Sequence, residues 1–275
     1  MMIQKRNILT LRIGRGTLAF CVQSGEDTAV AYEPYVVRSG VSMAANLREA
    51  FKTAALLQPL PPPADGTAWT AQRVRAAIDA DVMMVPIEQF DENDMAALHS
   101  LTFPASSHDV VCYDVLPDLN AVAVFAVNRD LRLVLNDHFP DLRLMPIMEP
   151  VWRHLHQRSF TGRRQKLYAY FHEQRMEVCA FRQNRFRFCN SFEAAKASDA
   201  LFYLLYVWKQ LQLQAEQDEV HIVGDIPQEE WMTGQLRRFV QNVYVINAAA
   251  DFNSHPVTEV KGMPYDLMTL CAKGR

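Results

Sequence analysis

The clearest order in this chain is a switch between two-residue and helical spacing of its apolar positions, played out twice. Gln165–Phe171 places Leu167, Ala169 and Phe171 on one face, and Arg185-Phe186-Arg187-Phe188 alternates charge with aromatic, as half-buried strands do. From these anchors the pattern predicts one succession in two copies. The first runs Ile8–Ile13, a turn at Gly14-Arg15-Gly16, Thr17–Gln23, Thr28–Val37, a helix from Ser42 and a strand Val82–Ile87. The second runs Gln165–Phe171, a turn at His172-Glu173-Gln174, Arg175–Phe181, Arg185–Asn190, a helix from about Ser198 and a strand Val220–Gly224. Antiparallel hairpins followed by a helix and a parallel strand predict mixed α/β sheets in two similar domains around a cleft.

Between the copies, His108–Leu116 and Leu119–Val127 read as antiparallel strands joined at Pro117-Asp118. Asn128 then caps a helix to about Asp137, Leu142–Ile147 returns as a strand, and Pro150 opens a helix to about Phe160. Thr161-Gly162-Arg163-Arg164 is polar and holds a glycine, which sets the expected domains at 1–161 and 162–275. The run Gln58–Thr70, with three consecutive prolines, predicts an exposed extended loop. Ser198–Gln214 predicts a helix capped at Ser198-Asp199. Its unbroken apolar stretch Ala200–Trp208 predicts burial on more than one side, against the other domain or a partner.

Composition narrows the function classes. Of 275 residues, 49% are hydrophobic and 21% charged, a globular balance, and the net charge of −3 gives no electrostatic basis for binding nucleic acid or an anionic membrane. The basic and aromatic residues of Arg182–Phe188 therefore read as a half-buried strand rather than a single-strand binding surface. No apolar run approaches the roughly 20 residues that cross a bilayer, and Met1–Phe20 lacks a signal-peptide core. The expectation is a cytoplasmic protein without membrane insertion. Cys21, Cys112, Cys179, Cys189 and Cys271 show no paired spacing, which predicts reduced thiols, with a Cys179–Cys189 cross-strand bridge as the alternative.

Duplicated hairpin units of this kind resemble the actin-like and sugar-kinase superfamily, and Val110–Gln157 resembles the actin-like proteins of pilus assembly and type II secretion in its order of strand pair, helix, strand and long helix. The whole chain is similar to an actin-like family of Bacteroidetes that has no assigned activity. The resemblance implies the actin-like ATPase, or ribonuclease-H-like, fold. It also implies where nucleotide chemistry would sit: an Asp-x-Gly at each hairpin turn and glycines at the end of a later strand. Here those places read Arg12-Ile13-Gly14, Tyr170-Phe171-His172 and Val223-Gly224-Asp225. Both acids that would hold a metal's water shell are replaced, so no catalytic residue, metal or cofactor is expected by the superfamily's mechanism. What remains for an anion is Arg12, Gly14, Arg15, Gly16 and Gly224, with a solvated glycine-rich turn as the alternative reading.

Other chemistries find no footing. Ile8–Ile13 and Gln165–Phe171 carry no carboxylate for a two-metal nuclease. His154 and His156, two apart on a helix, point to different sides and cannot share an ion. Two hypotheses follow: a non-catalytic actin-like scaffold that binds an unidentified protein partner or itself, and a divergent nucleotide- or anion-binding enzyme that uses the interdomain cleft.

Overall fold

The computed structural model describes residues 8–23, 30–58, 73–104, 106–183 and 185–272. Its first half contains β1 (Ile8–Ile13), β2 (Leu18–Gln23), β3 (Val30–Tyr35), α1 (Met43–Thr53), β4 (Arg73–Ile78), β5 (Val82–Pro86), α2 (Met95–Thr102), β6 (Asp109–Leu116), β7 (Ala121–Asn128), α3 (Arg129–His138), β8 (Leu142–Pro146) and α4 (Glu149–Ser159). The second contains β9 (Lys166–His172), β10 (Arg175–Arg182), β11 (Arg185–Glu193), α5 (Ala197–Gln210), β12 (Glu219–Gly224), α6 (Glu229–Leu236), β13 (Asn242–Val245), α7 (Ala248–Asp251) and α8 (Tyr265–Ala272).

Two five-stranded sheets have the same plan, β3-β2-β1-β4-β8 and β11-β10-β9-β12-β13. In each, a central strand pairs antiparallel with its hairpin partner and parallel with the strand after the crossover. Arg12 lies opposite Ala77 of β4, and Tyr170 opposite Val223 of β12, so the registers make Arg12 and Tyr170 equivalent positions. The mixed, duplicated fold class is as expected. We propose a boundary between the halves at 161/162, in the bend between α4 and β9.

One strand differs from expectation. The parallel partner of β1 is Arg73–Ile78, whereas Val82–Pro86 pairs antiparallel with β7 in a separate sheet, β5-β7-β6, inserted between β4 and β8. In β4, Val74, Ala76 and Ile78 are buried on one face, but Ala77 is buried as well, so the alternation is lost over the second half of this short strand. The proline-rich run lies outside the described residues except for Gln58.

Local chemistry explains several boundaries. The Ser42 hydroxyl accepts from the Ala45 amide at the start of α1, and the Asn128 side chain accepts from Asp130 and Leu131 at the start of α3. The start of α5 differs from expectation: its cap position is Lys196, and the Ser198 hydroxyl bonds Asp199 instead. Ala200, Leu204 and Val207 bury one face of α5, while Phe202 and Tyr206 are 63% and 50% exposed, so the apolar run is not enclosed all round.

The outer face of the first sheet, with Leu9, Leu11, Ile13 and Phe20, packs on α1 and α3. That of the second, with Leu167, Ala169, Phe171 and Val178, packs on α5 and α6. Between the inner faces lie α4 and α8, which pack on each other. They cross over: α4 from the first half contacts β10, and α8 from the second reaches β1 and β2. Trp152 on α4, 1% exposed, and Tyr168 and Tyr170 on β9 centre this shared core. Burying one such large side chain is worth about 1.5–3 kcal/mol. All five cysteines are free. Cys179 faces Cys189 across β10–β11, and Cys21 on β2 meets Cys271 on α8 with sulfurs 3.3 Å apart. Among the described residues no helix is long and apolar enough to cross a membrane.

Candidate functional site

Strand alternation sends Leu11 and Ile13 outward from β1 and turns Arg12 inward; on β9 it does the same for Tyr170 and His172. These inward side chains meet beneath α8. Arg12 donates from Nε to Asp266 Oδ1 and from Nη2 to Oδ2, both at 2.9 Å, and Tyr170 Oη donates to Oδ2 at 2.9 Å. The two positions equivalent in register thus converge on one carboxylate from a third element. Burial alone would lower the Arg12 pKa. The charge and hydrogen bonds of Asp266 outweigh that and raise its pKa, so the guanidinium stays charged. Burial, then the negative Asp266, pushes the Tyr170 phenol well above its usual range and keeps it a neutral donor.

The first hairpin turn is closed by the Gly14 amide donating to the Thr17 carbonyl at 2.9 Å. Glu173, from the second turn, reaches across into it. Its Oε1 accepts from Arg12 Nη1 at 2.7 Å and Thr17 Oγ1 at 2.5 Å, and its Oε2 from the Gly16 amide at 3.2 Å. Gly14 is required by this contact, because a Cβ there would lie 2.0 Å from Glu173 Oε1. Burial raises the Glu173 pKa, but the hydrogen bonds from Thr17 and Arg12 more than reverse this, and the net shift is down. The carboxylate is held ionised. The turn that presents it is a two-residue hairpin with Glu173 at φ +44° and Gln174 at φ +63°. Such turns favour Asn-Gly, so Glu173 keeps its place despite backbone strain of about 1–3 kcal/mol.

Beside this carboxylate the cleft gathers further charge. Asp79, just after β4, has a side chain only 2% exposed, and burial raises its pKa. His172 Nδ1 lies 3.9 Å from Asp79 Oδ2, and its Nε2 lies 3.6 Å from Glu177 Oε1. Arg15 and Arg175 both donate to Asp81 Oδ1, at 2.7 and 2.8 Å. Arg12, Arg15 and Arg175 therefore face Asp79, Asp81, Glu173, Glu177 and Asp266.

Of the residues singled out from sequence, Arg12, Gly14, Arg15 and Gly16 are brought together at the first turn. Arg12 has all three nitrogens engaged by Asp266, Thr17 and Glu173, and Arg15 is paired with Asp81, so neither stands as a free anion clamp. Gly224 is apart in role. At φ +97°, with a would-be Cβ 2.1 Å from the Phe171 carbonyl and 2.8 Å from the Tyr170 ring, it serves the close approach of β12 to β9. His154 and His156 bond Asp251 and the Gln183 carbonyl separately. Glu173, Asp266 and Asp79 were not anticipated. Asp79 and Glu173 lie just beyond the strand positions of the superfamily's acids, one after β4 and the other in the turn after β9. Asp79 would have emerged had β4 been placed at Arg73–Ile78, because the residue after that strand falls at the cleft.

The family described as a protein of unknown function (DUF3822) matches residues 2–243. None of the curated proteins compared with the chain matches it. A crystal structure from Bacteroides thetaiotaomicron, of a protein with actin-like ATPase fold and unknown function, superposes with a TM-score of 0.82 at 24% identity, covering 98% of this chain and 99% of that one. The PilM–PilN type IV pilus biogenesis complex matches at 14% identity with a TM-score of 0.50, covering 89% of each chain. The cytoplasmic domain of EpsL, an inner membrane component of the type II secretion system of Vibrio cholerae, matches at 15% identity with a TM-score of 0.44, covering 78% of this chain and 81% of that one. The fold is actin-like.

Proposed function

We propose, from the premise that the chain belongs to the DUF3822 family, that it is a non-catalytic actin-like scaffold whose nucleotide site is degenerate and filled from within. The observation that carries this reading is the Glu173 carboxylate seated among Arg12 Nη1, Thr17 Oγ1 and the Gly16 amide. Charged and backbone donors converging in a glycine turn are the equipment for holding a phosphate oxygen. Here the protein's own anion takes them. The positions from which carboxylates would hold a metal against a phosphoryl group are Arg12 and Tyr170, both committed to Asp266. A fold stripped of turnover but kept rigid suits assembly, and a protein of similar fold occurs in the PilM–PilN type IV pilus biogenesis complex. The surface we assign to a protein partner is α5, where the exposed Phe202 and Tyr206 stack with ring centroids 6.3 Å apart.

The test is a thermal-shift and phosphate-release series on the purified chain and on Glu173→Ala. The parent is expected to show no shift with Mg-ATP, ADP or inorganic phosphate and no turnover. Glu173→Ala keeps the left-handed backbone but frees three donors. It should lose about 2–3 kcal/mol of stability and regain part of it in millimolar phosphate by mass action. Turnover by the parent that survives purification and vanishes in Arg15→Ala would establish the competing reading, an anion-binding enzyme, and end this one.

A further inference from the structure

Asp79, His172 and Glu173 each bring a donor atom to within 4.8 Å of the others. Asp79 follows β4 of the first half, and its amide is anchored on the Ile13 carbonyl at 2.8 Å. His172 and Glu173 end β9 and open the turn of the second half, so the cluster straddles the cleft. Its distinguishing mark is unpaired burial. His172 is 3% exposed, and neither ring nitrogen has a hydrogen-bond partner; Asp79 Oδ2 is also buried without one. Buried polar atoms are nearly always paired, and here His172 Nδ1 and Asp79 Oδ2 face each other at 3.9 Å with no hydrogen-bond partner.

We propose that Asp79, His172 and Glu173 form a binding site for a divalent cation of the zinc class, which ties the two halves together across the cleft. One imidazole nitrogen and two carboxylate oxygens are a donor set suited to Zn²⁺ or Co²⁺. The ring is oriented for it, with Nδ1 toward Asp79 and Nε2 toward Glu177, 3.6 Å away. A ligating histidine ordinarily directs its second nitrogen at a carboxylate in this way. Glu173 has capacity left: a carboxylate offers about four acceptor positions, and Arg12, Thr17 and Gly16 occupy three. Bonds of about 2.0–2.2 Å set tetrahedral donors roughly 3.4 Å apart, a closure that side-chain rotation supplies. Entry is through an open cavity of ≈ 450 Å³ lined by Asp79, Arg15, Asp81 and His99. The site goes beyond the scaffold reading and fails separately from it: a zinc-binding chain can still reject phosphate, and the reverse.

The experiment is calorimetric titration of the chelator-treated full chain with ZnCl₂ and with CoCl₂ near pH 7.5, with visible spectroscopy of the cobalt form. One ion per chain is expected, together with d–d absorption from a low-symmetry site and a higher unfolding temperature. Asp79→Asn and His172→Gln should each weaken binding at least tenfold, and His138→Gln, exposed at the end of α3 on the outer side of the first sheet, should leave it unchanged. Glu177→Gln keeps the three ligands, and loss of their support should weaken binding by about 10–100-fold. If His172→Gln fails to fold, Asp79→Asn and Glu177→Gln carry the test. Absence of saturable binding, or binding indifferent to these variants, overturns the proposal.

Discussion

Replacing Asp266 with asparagine should be among the most damaging single changes this protein can suffer short of emptying its core. The Asp266 side chain is 2% exposed and takes three donors, two from Arg12 and one from Tyr170. Arg12 is itself 5% exposed, so the substitution leaves a buried cation with only Glu173 to balance it. Removing one partner of a buried ion pair costs about 3–5 kcal/mol, and the amide oxygen that remains to accept a bond places this case near 3 kcal/mol. Unfolding entropy of about 2.1 cal/mol/K per residue over the 275-residue chain gives roughly 0.6 kcal/mol per degree, hence a loss of about 5 °C in Tm. Tyr170→Phe removes one hydrogen bond and leaves the ion pair intact, so it should cost about 1–1.5 kcal/mol, or roughly 2 °C. The paired change Arg12→Met with Asp266→Leu removes both charges and should recover most of the loss. Denaturant unfolding and calorimetry in low and high salt would measure all three, and the Asp266→Asn deficit should be nearly independent of salt because the pair is shielded from it. An Asp266→Asn variant no less stable than Tyr170→Phe would refute the claim that this carboxylate neutralises a buried charge.

Two further outcomes follow from the geometry. Gly224→Ala, at φ +97° and against the Phe171 carbonyl, should lose about 2–3 kcal/mol, whereas Gly16→Ala, with open space around its Cβ, should change stability by less than about 0.5 kcal/mol in matched thermal melts. Asp251 is partly buried, which raises its pKa, but hydrogen bonds from His154 and Tyr265 reverse this and lower it overall. Its stabilising contribution is therefore complete above the unfolded value of about 3.9 and disappears as pH falls through the lower folded value. Unfolding followed from pH 5 down to pH 2 should show a steeper loss in the parent than in Asp251→Asn, and equal slopes would remove this carboxylate from the acid limb.

Much of the fold was legible because hairpins advertise themselves. The β9–β10–β11 meander alternates strongly, and Asn128 announces α3 at its cap. β4 was hidden for a different reason: it is short, two of its six residues are arginines, and Ala77 breaks the alternation of Val74, Ala76 and Ile78, whereas Val82–Pro86 is apolar throughout. Asp79, the residue that follows β4, is hidden with it. At the site, the sequence exposes the loss of acids at Arg12 and Tyr170 but not their replacement. Asp266 lies 254 positions from Arg12, on a short helix with nothing in its spacing to link them. Glu173 sits where a glycine-rich turn residue is ordinary, and only its left-handed backbone and its reach across the cleft reveal its place in the network.

The exchange of α4 and α8 between the halves has a consequence for biosynthesis. The inner surface of β1, where Thr10 and Arg12 are 3% and 4% exposed, is covered partly by a segment made some 254 residues later. At a synthesis rate of about 5–20 residues per second, Arg12 waits roughly 13–50 s for its carboxylate partner. Throughout that interval the emerging first sheet carries an unpaired guanidinium on its inward face and lacks its inner helix. The half that is synthesised first is thus completed last, and a ribosome-bound first half should be more protease-sensitive than the same residues in the finished chain.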